Sequence, residues 1–431
     1  MALMARMTAE PYSATMATVR KFNTEGPVVA ADHYCIPPLE RIDLDAVLGL
    51  IRDKKYFVLH APRQTGKTSA LLALRDLLNG GAAGDFRCLY ANVEGGQAMR
   101  ENVAEGMRTV LAELVLQASV TLGDDTLEDL WPALLERVGP GQALRHALLR
   151  WCMADPRPLV LLIDEIDALV GDTLLAVLRQ LRTGYVDRPA RFPHSIILCG
   201  VRDVRDYCIH STAEDRLVLG GSAFNIKSES LRLGDFSERE TRALLTQHTD
   251  ATGQAFTEAA KALIRTRTAG QPWLVNALCY DACFRHEPGR NRARPITADA
   301  ILAAQERLIL RRDTHIDDLA HKLREERVRR VVEPILTGAA EIRVLGRGLG
   351  LRARPGAGGA GGRRPAAHHQ PDLRGSGAAA SELRGAGDAA AANGVVPGRG
   401  RRAGCRGAAR GVSGVLPRAL RALGAALRAI P

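Results

Sequence analysis

The sequence predicts an α/β fold: a parallel sheet with helices on both faces, a small all-helical lid, and a disordered C-terminal tail. Three observations predict it. Apolar strand-like runs alternate with amphipathic helical stretches from about residue 43 to residue 201, the pattern of a parallel sheet covered on both sides. Beyond residue 230 the pattern becomes wholly helical. Residues 338–431 hold 21 of the 42 glycines and no Phe, Tyr or Trp, a composition that cannot bury a specific core.

Taken in order, residues 1–40 are irregular, with Gly26-Pro27 and Pro37-Pro38 as breakers. A helix is expected over 43–54, then a strand at Tyr56-Phe57-Val58-Leu59, a loop at 61–68, and a helix running from it to about Leu78. Phe86–Val93 reads as a strand, and residues 97–154 as about three amphipathic helices. Leu159–Asp164 is a fully apolar strand that ends in carboxylates. A helix over 173–182 and a core strand at Ser195–Val201 follow. In the lid, Ser237-Glu238-Arg239-Glu240 is a capping box opening an amphipathic helix, with further helices over 256–267, 272–285, 297–312 and 314–336. The organisation is therefore an N-terminal segment (1–40), a core (41–230), a lid and the start of a following helical segment (231–337), and the tail (338–431). There is no internal repeat.

Two stretches carry chemistry. Ala61-Pro62-Arg63-Gln64-Thr65-Gly66-Lys67-Thr68-Ser69 lies between a strand and a helix, the context a phosphate-cradling loop requires. Turned backbone amides and a helix N-terminus make an anion nest there. Lys67 adds a mobile positive charge, and the Thr68 hydroxyl can hold Mg²⁺. Ala61 stands where glycine is usual, which is tolerable if its φ is negative. About a hundred residues on, Leu159-Val160-Leu161-Leu162-Ile163-Asp164-Glu165 ends in paired acids. Asp164 is placed to reach the Mg²⁺ shell, and Glu165 to polarise a water for attack on a γ-phosphate. The blander readings are a chance glycine-lysine-threonine turn and a solvated strand end. The two halves occur in the right order and contexts, which favours the nucleotide reading.

The 431 residues allow two or three domains and a large core. Eight scattered cysteines form no zinc-ribbon pairs, so buried thiols in a reducing compartment are expected. Cys279 and Cys283 sit four apart without a second ligand pair. No stretch is long enough to span a membrane, and the first twenty residues lack the apolar run of a secretory signal. A cytoplasmic protein is the expectation.

The net charge of +11 suggests a nucleic-acid footprint until it is located. Residues 338–431 contain 16 Arg, no Lys and four acids, while residues 1–337 have 43 basic and 44 acidic side chains. The globular part is thus neutral, and the excess lies in the tail. Glycine, alanine, arginine and proline are the residues of GC-only codons, the product of reading GC-rich DNA out of frame. Shifted by one nucleotide with permissible codons, His369–Leu373 becomes Thr-Asn-Pro-Ile-Tyr, and Val412–Arg418 becomes Phe-Gln-Ala-Phe-Phe-Arg-Glu. A frameshift between about Thr337 and Leu345 is the expectation, and sequencing the locus tests it. The rival is an arginine/glycine-rich arm binding RNA or DNA, though such arms interleave aromatics for base stacking and this one has none.

These motifs together resemble the AAA+ ATPases, in the branch shared by origin-recognition-like and STAND signalling ATPases, and within it a group of bacterial AAA-like ATP-binding proteins. The resemblance runs over about residues 20–337. It is carried by Phe22-Asn23-Thr24, Gly26-Pro27, Tyr34, Ile36-Pro37-Pro38-Leu39-Glu40-Arg41, Ala61–Thr68, Gly200–Tyr207 and Gly270-Gln271-Pro272-Trp273. It implies a P-loop ATPase with ATP and Mg²⁺ as cofactors. Tyr34, Ile36 and Pro37 would line the adenine pocket, Arg202 would sense the γ-phosphate, and Pro272 would touch the nucleotide from the lid. As bland alternatives, Arg202 is a surface arginine paired with Asp203 or Asp206, and Gly270-Gln271-Pro272 an ordinary helix start. Arg182, Arg188 and Arg191 are candidates for a finger completing a neighbour's site in a homo-oligomer. Group members continue into a winged-helix-like segment, some into a nuclease-like domain, neither of which this chain shows as written. Competing functions are a non-hydrolysing nucleotide-gated interaction or DNA-binding module and, remotely, a kinase. A protein or DNA partner is implied but not named.

Overall fold

The computed structural model describes residues 19–202 and 229–311 in full, and the backbone alone of 208–211, 216–219, 340–345 and 348–353. Two short parallel strands, β1 (Lys21–Phe22) and β2 (His33–Tyr34), open the described chain. Helix α1 (Leu44–Arg52) starts where the Asp43 side chain accepts the Ala46 amide, the N-cap role suited to aspartate. Strand β3 (Tyr56–His60) leads through the 61–66 loop into α2 (Lys67–Asn79). Then come β4 (Arg87–Asn92) and three helices, α3 (Val103–Gln117), α4 (Thr126–Val138) and α5 (Pro140–Ala154). Strand β5 (Leu159–Asp164), α6 (Gly171–Gly184) and β6 (Ser195–Gly200) complete the segment read from sequence.

The main sheet has five parallel strands, and its last member corrects the sequence reading. An antiparallel pair, β7 (Cys208–Ser211) and β8 (Arg216–Leu219), precedes β9 (Glu229–Arg232). Strand β9 pairs with β3, so the order is β4-β5-β6-β3-β9. The helical region thus begins only after residue 232. Leu231 alone of its four residues is a strong apolar signal, because an edge strand needs little burial.

Strand side chains alternate between two cores, as a pleated sheet requires. Val58, Leu89, Leu161, Ile163, Ile196 and Leu198 pack under α3–α6. Phe57, Leu59, Cys88, Val160, Leu162 and Ile197 pack against α1 and α2. Each such fully buried aliphatic or aromatic side chain contributes about 1.5–3 kcal/mol.

The lid comprises α7 (Glu238–Thr252), α8 (Glu258–Thr268), α9 (Pro272–Tyr280), the short α10 (Glu287–Arg290) and α11 (Ala298–Arg311). The capping box at Ser237 and Glu240 forms as expected. The helix expected over 272–285 stops at Tyr280 and widens into a π-turn over Asp281–Arg285. The lid has its own core, and Phe22, Tyr34 and Ile36 belong to it. The N-terminal segment is therefore a strap bound to the lid. Its backbone is stitched to α7, with Cys35 N donating to Gln247 Oε1 at 3.0 Å and Gln247 Nε2 donating to Cys35 O at 2.8 Å.

Within the segment read as a low-complexity tail, β10 (Ala340–Leu345) and β11 (Gly348–Ala353) pair antiparallel. The helix expected over 314–336, the 203–207 part of the Gly200–Tyr207 motif and the rest of the tail lie outside the described residues. No helix among the described residues is long and apolar enough to cross a membrane.

Candidate functional site

The loop after β3 turns through two left-handed residues, Gln64 (φ +60°) and Gly66 (φ +92°). Ala61 is fully buried with a negative φ, and its amide donates to Gly200 O at 3.2 Å. Thr65, also fully buried, closes the loop by donating from Oγ1 to Pro62 O at 2.8 Å. Pro62 is half-buried, and Arg63 and Gln64 are exposed at the loop's crest. Gly66 caps α2, so the first free amides of that helix, at Lys67 to Ser69, follow the turn. Lys67 is buried, and its Nζ donates to Ala61 O at 3.1 Å and Pro62 O at 3.2 Å. Its ammonium therefore lies over the mouth of the loop.

Opposite stands the carboxyl end of β5, in register with Asn92 of β4. Asp164 is fully buried. Its Oδ2 accepts from Thr68 Oγ1 at 2.7 Å and from Tyr90 OH at 3.0 Å, and its Oδ1 accepts from Glu165 N at 2.9 Å. The two sequence motifs, 96 residues apart, thus meet at one hydrogen bond. The hydroxyl and carboxylate oxygens suit a hard, oxygen-seeking divalent cation that retains waters and phosphate ligands. Such a cation needs few protein ligands, and among the described residues no three His, Cys, Asp or Glu gather as a metal-holding cluster.

Glu165 follows in a left-handed conformation (φ +54°), half-buried. Burial pushes its carboxyl above the usual range. The Lys67 charge opposes that shift, while Asp167, Asp164 and Glu94 add to it. Asp167 Oδ1 accepts from Val201 N at 3.2 Å, tying this strand end to the segment leaving β6. Arg202 is exposed on that segment, at the same carboxyl end of the sheet as the loop.

A cleft enclosing about 700 Å³ of space, open mouth included, runs from the loop to the lid. Tyr34, Ile36, Gly66, Ser69 and Pro272 line it. Pro37 is exposed and Pro38 takes the lining position, since the chain turns outward between Ile36 and the Pro38–Arg41 turn. Tyr34 puts most of its ring into the aromatic cluster with Phe22 and His248, at centroid distances of 5.0 and 5.5 Å. The strap crosses the cleft: Val28 N donates to Ser69 Oγ at 3.1 Å, Asn23 N to Asn276 Oδ1 at 3.2 Å, and Trp273 Nε1 to Thr24 O at 2.9 Å.

The finger candidates lie elsewhere. Arg188 Nη1 donates to Lys54 O and the guanidinium stacks on Tyr185 and Tyr56, at the amino end of the sheet. Arg191 pairs with Asp187 at 3.2 Å. Arg182 sits in the last turn of α6 and is also engaged. Cys279 and Cys283 are buried thiols in the lid core.

Sequence reasoning misses Tyr90 and Asp167. Tyr90 sits in a strand recognised as such, but only the β4–β5 register brings it two residues from the Asp164 partner position. Asp167 lies two residues beyond Glu165, and its partner is a backbone amide that no pattern encodes.

Residues 51–208 match the family described as an AAA domain. Among the solved structures to which this chain is similar are the following three. The Walker-type ATPase PABY2304 of Pyrococcus abyssi is 14% identical, with 74% of this chain and 84% of that one covered and a TM-score of 0.47. The Aeropyrum pernix ORC2 protein is 15% identical, covering 66% and 70%, with a TM-score of 0.42. The Thermotoga maritima RuvB Holliday junction branch migration motor is 15% identical, covering 68% and 75%, with a TM-score of 0.38. No curated protein matches the sequence.

Proposed function

We propose that this protein binds Mg-ATP between the loop, the strap and the lid, and hydrolyses it to move the lid against the core. The 2.7 Å hydrogen bond from Thr68 Oγ1 to Asp164 Oδ2 carries the reading. It brings two hard oxygens together beside an anion nest, where a magnesium ion would neutralise charge building on the β- and γ-phosphates. Thr68 and Asp164 would hold that ion, Asp164 through its hydration shell.

The other roles follow from position. Residues 61–69 wrap the phosphates with backbone amides, and Lys67 exchanges the Ala61 and Pro62 carbonyls for phosphate oxygens. Glu165 takes a proton from the attacking water. Its raised proton affinity brings it nearer to ambient pH, which favours general-base work. Arg202 meets the γ-phosphate from the end of β6, and the Asp167–Val201 bond keeps that segment close to Glu165. Tyr34, Ile36 and Pro272 enclose the base. A switch of the STAND or origin-recognition kind, acting as a homo-oligomer on a protein or DNA partner, is the role that the sequence resemblance supports.

Equilibrium titration with a fluorescent ATP analogue, with and without Mg²⁺, tests the reading. The wild type is expected to bind, more tightly with Mg²⁺. Lys67→Ala is expected to bind at least about tenfold more weakly, the value of a hydrogen bond to a charged group. Equal affinity in the two proteins would overturn the assignment.

A further inference from the structure

The Ile36–Arg41 stretch contains one side chain that the chemistry above leaves without a task. Arg41 ends the Pro38–Arg41 turn, and its guanidinium reaches three places at once. Nη1 donates to Thr65 O in the phosphate loop. Nη2 donates to Gly234 O at 2.7 Å. Its Cζ lies 4.7 Å from the centroid of the Phe236 ring, within cation–π range. Burial lowers the proton affinity of its guanidinium, and the carboxylates of Glu240 and Asp235 oppose that shift.

The first contact belongs to the core, and the others to the linker from β9 to α7, where the chain passes into the lid. That linker is pinned on both sides. Leu233 N donates to His60 O at 3.0 Å on the core side. On the lid side Phe236 N donates to Gly270 O at 2.7 Å, and Arg265 Nη1 donates to Phe236 O at 2.6 Å. A rotation of the lid must therefore turn the chain at Gly234 and Asp235, between the pins and against Arg41.

The peptide that Arg41 holds joins Thr65 to Gly66. In a trans peptide the carbonyl and the following N–H point in opposite directions. With the Thr65 carbonyl held on the Arg41 side, the Gly66 amide is aimed the other way. Gly66 also leaves the guanidinium its space, since a Cβ there would lie 2.7 Å from Arg41 Nη1. Serving two carbonyls and a ring face together needs a planar multi-donor fork; a lysine ammonium is a point donor.

We infer that Arg41 is a positioning residue that couples the seating of the lid to the orientation of the phosphate loop. With the lid seated, the Thr65–Gly66 peptide is held in one orientation. When the linker turns, Gly234 and Phe236 leave Arg41 and that peptide is released. The inference rests on the nucleotide reading of the cleft.

The test is amide hydrogen exchange of residues 233–237 in the full chain, with and without saturating Mg-ADP, alongside ADP affinity and a thermal melt. In the wild type, ADP is expected to slow linker exchange about tenfold or more. Arg41→Lys is expected to bind ADP about tenfold more weakly and, once saturated, to leave linker exchange within about twofold of its nucleotide-free rate. If Arg41→Lys fails to fold, Phe236→Leu probes the same contact from the linker side, with loss of linker protection at saturation again expected. Wild-type protection retained in the saturated variant overturns the coupling alone, as does a wild type that binds ADP without linker protection. A wild type that binds no ADP overturns the nucleotide reading and this inference with it.

Discussion

Tyr90→Phe removes one oxygen from the site and leaves a buried ring in place. In the wild type, Asp164 Oδ2 has two side-chain donors, Thr68 at 2.7 Å and Tyr90 at 3.0 Å. Burial, the Asp164 charge and their hydrogen bond push the Tyr90 phenol far above its usual range, so it remains a donor at every working pH. Without it, Oδ2 keeps one of these two donors, Thr68. Losing a hydrogen bond to a charged group costs about 1.5–3 kcal/mol. Losing a group that orients a metal-site carboxylate weakens metal affinity about 10–100-fold, and the two figures agree at about 1.4 kcal/mol per tenfold. The assay is nucleotide binding as a function of Mg²⁺ concentration. The half-saturating Mg²⁺ concentration is expected to rise about 10–100-fold, with nucleotide affinity in the absence of Mg²⁺ unchanged. A half-saturation within twofold of wild type, in a protein that still folds, would refute the role assigned to Tyr90.

Two further outcomes concern the loop and the lid. Gly66→Ala places a Cβ at φ +92° and 2.7 Å from Arg41 Nη1; the backbone conformation alone costs about 1–2 kcal/mol, so a lowered thermal midpoint and weaker ADP binding are expected, and an unchanged midpoint would contradict the geometry. His248 is fully buried, with its Nε2 3.0 Å from Gln254 Oε1, and burial pushes its pKa down to about 4. The unfolded chain then takes up the proton first. Stability is complete above about pH 6.5 and falls as pH drops from there toward about 4, by at most roughly 3 kcal/mol. Urea melts across that window check this: His248→Gln should flatten the decline, and parallel profiles for the two proteins would refute the assignment.

The sheet was legible where burial on both faces forces continuous apolar runs, as in Tyr56–Leu59 and Leu159–Ile163. It was not legible at Glu229–Arg232, an edge strand that needs little apolar surface and is recognised only by its pairing with β3. Strand order is set by long-range packing and has no local sequence signature. The same holds for the strap, whose Phe22 and Tyr34 join the lid core some 220 residues further along the chain. The positions of the loop and the paired acids were legible because each occupies the end of an apolar strand. Tyr90 makes its contact through strand register, Asp167 through a backbone amide and Arg41 through backbone carbonyls, none of which residue spacing reports. At Asp281 the helical period continues in the sequence, but the backbone widens so that the buried carboxylate meets Arg307 at 2.6 Å and Arg311 at 3.1 Å.

The most direct measurement is phosphate release from Mg-ATP in a single turnover, comparing wild type with Glu165→Gln after ATP binding by both has been verified. With Glu165 as general base, the variant should bind ATP as the wild type does and release phosphate at least about 100-fold more slowly. Equal release rates in the two proteins would contradict the account.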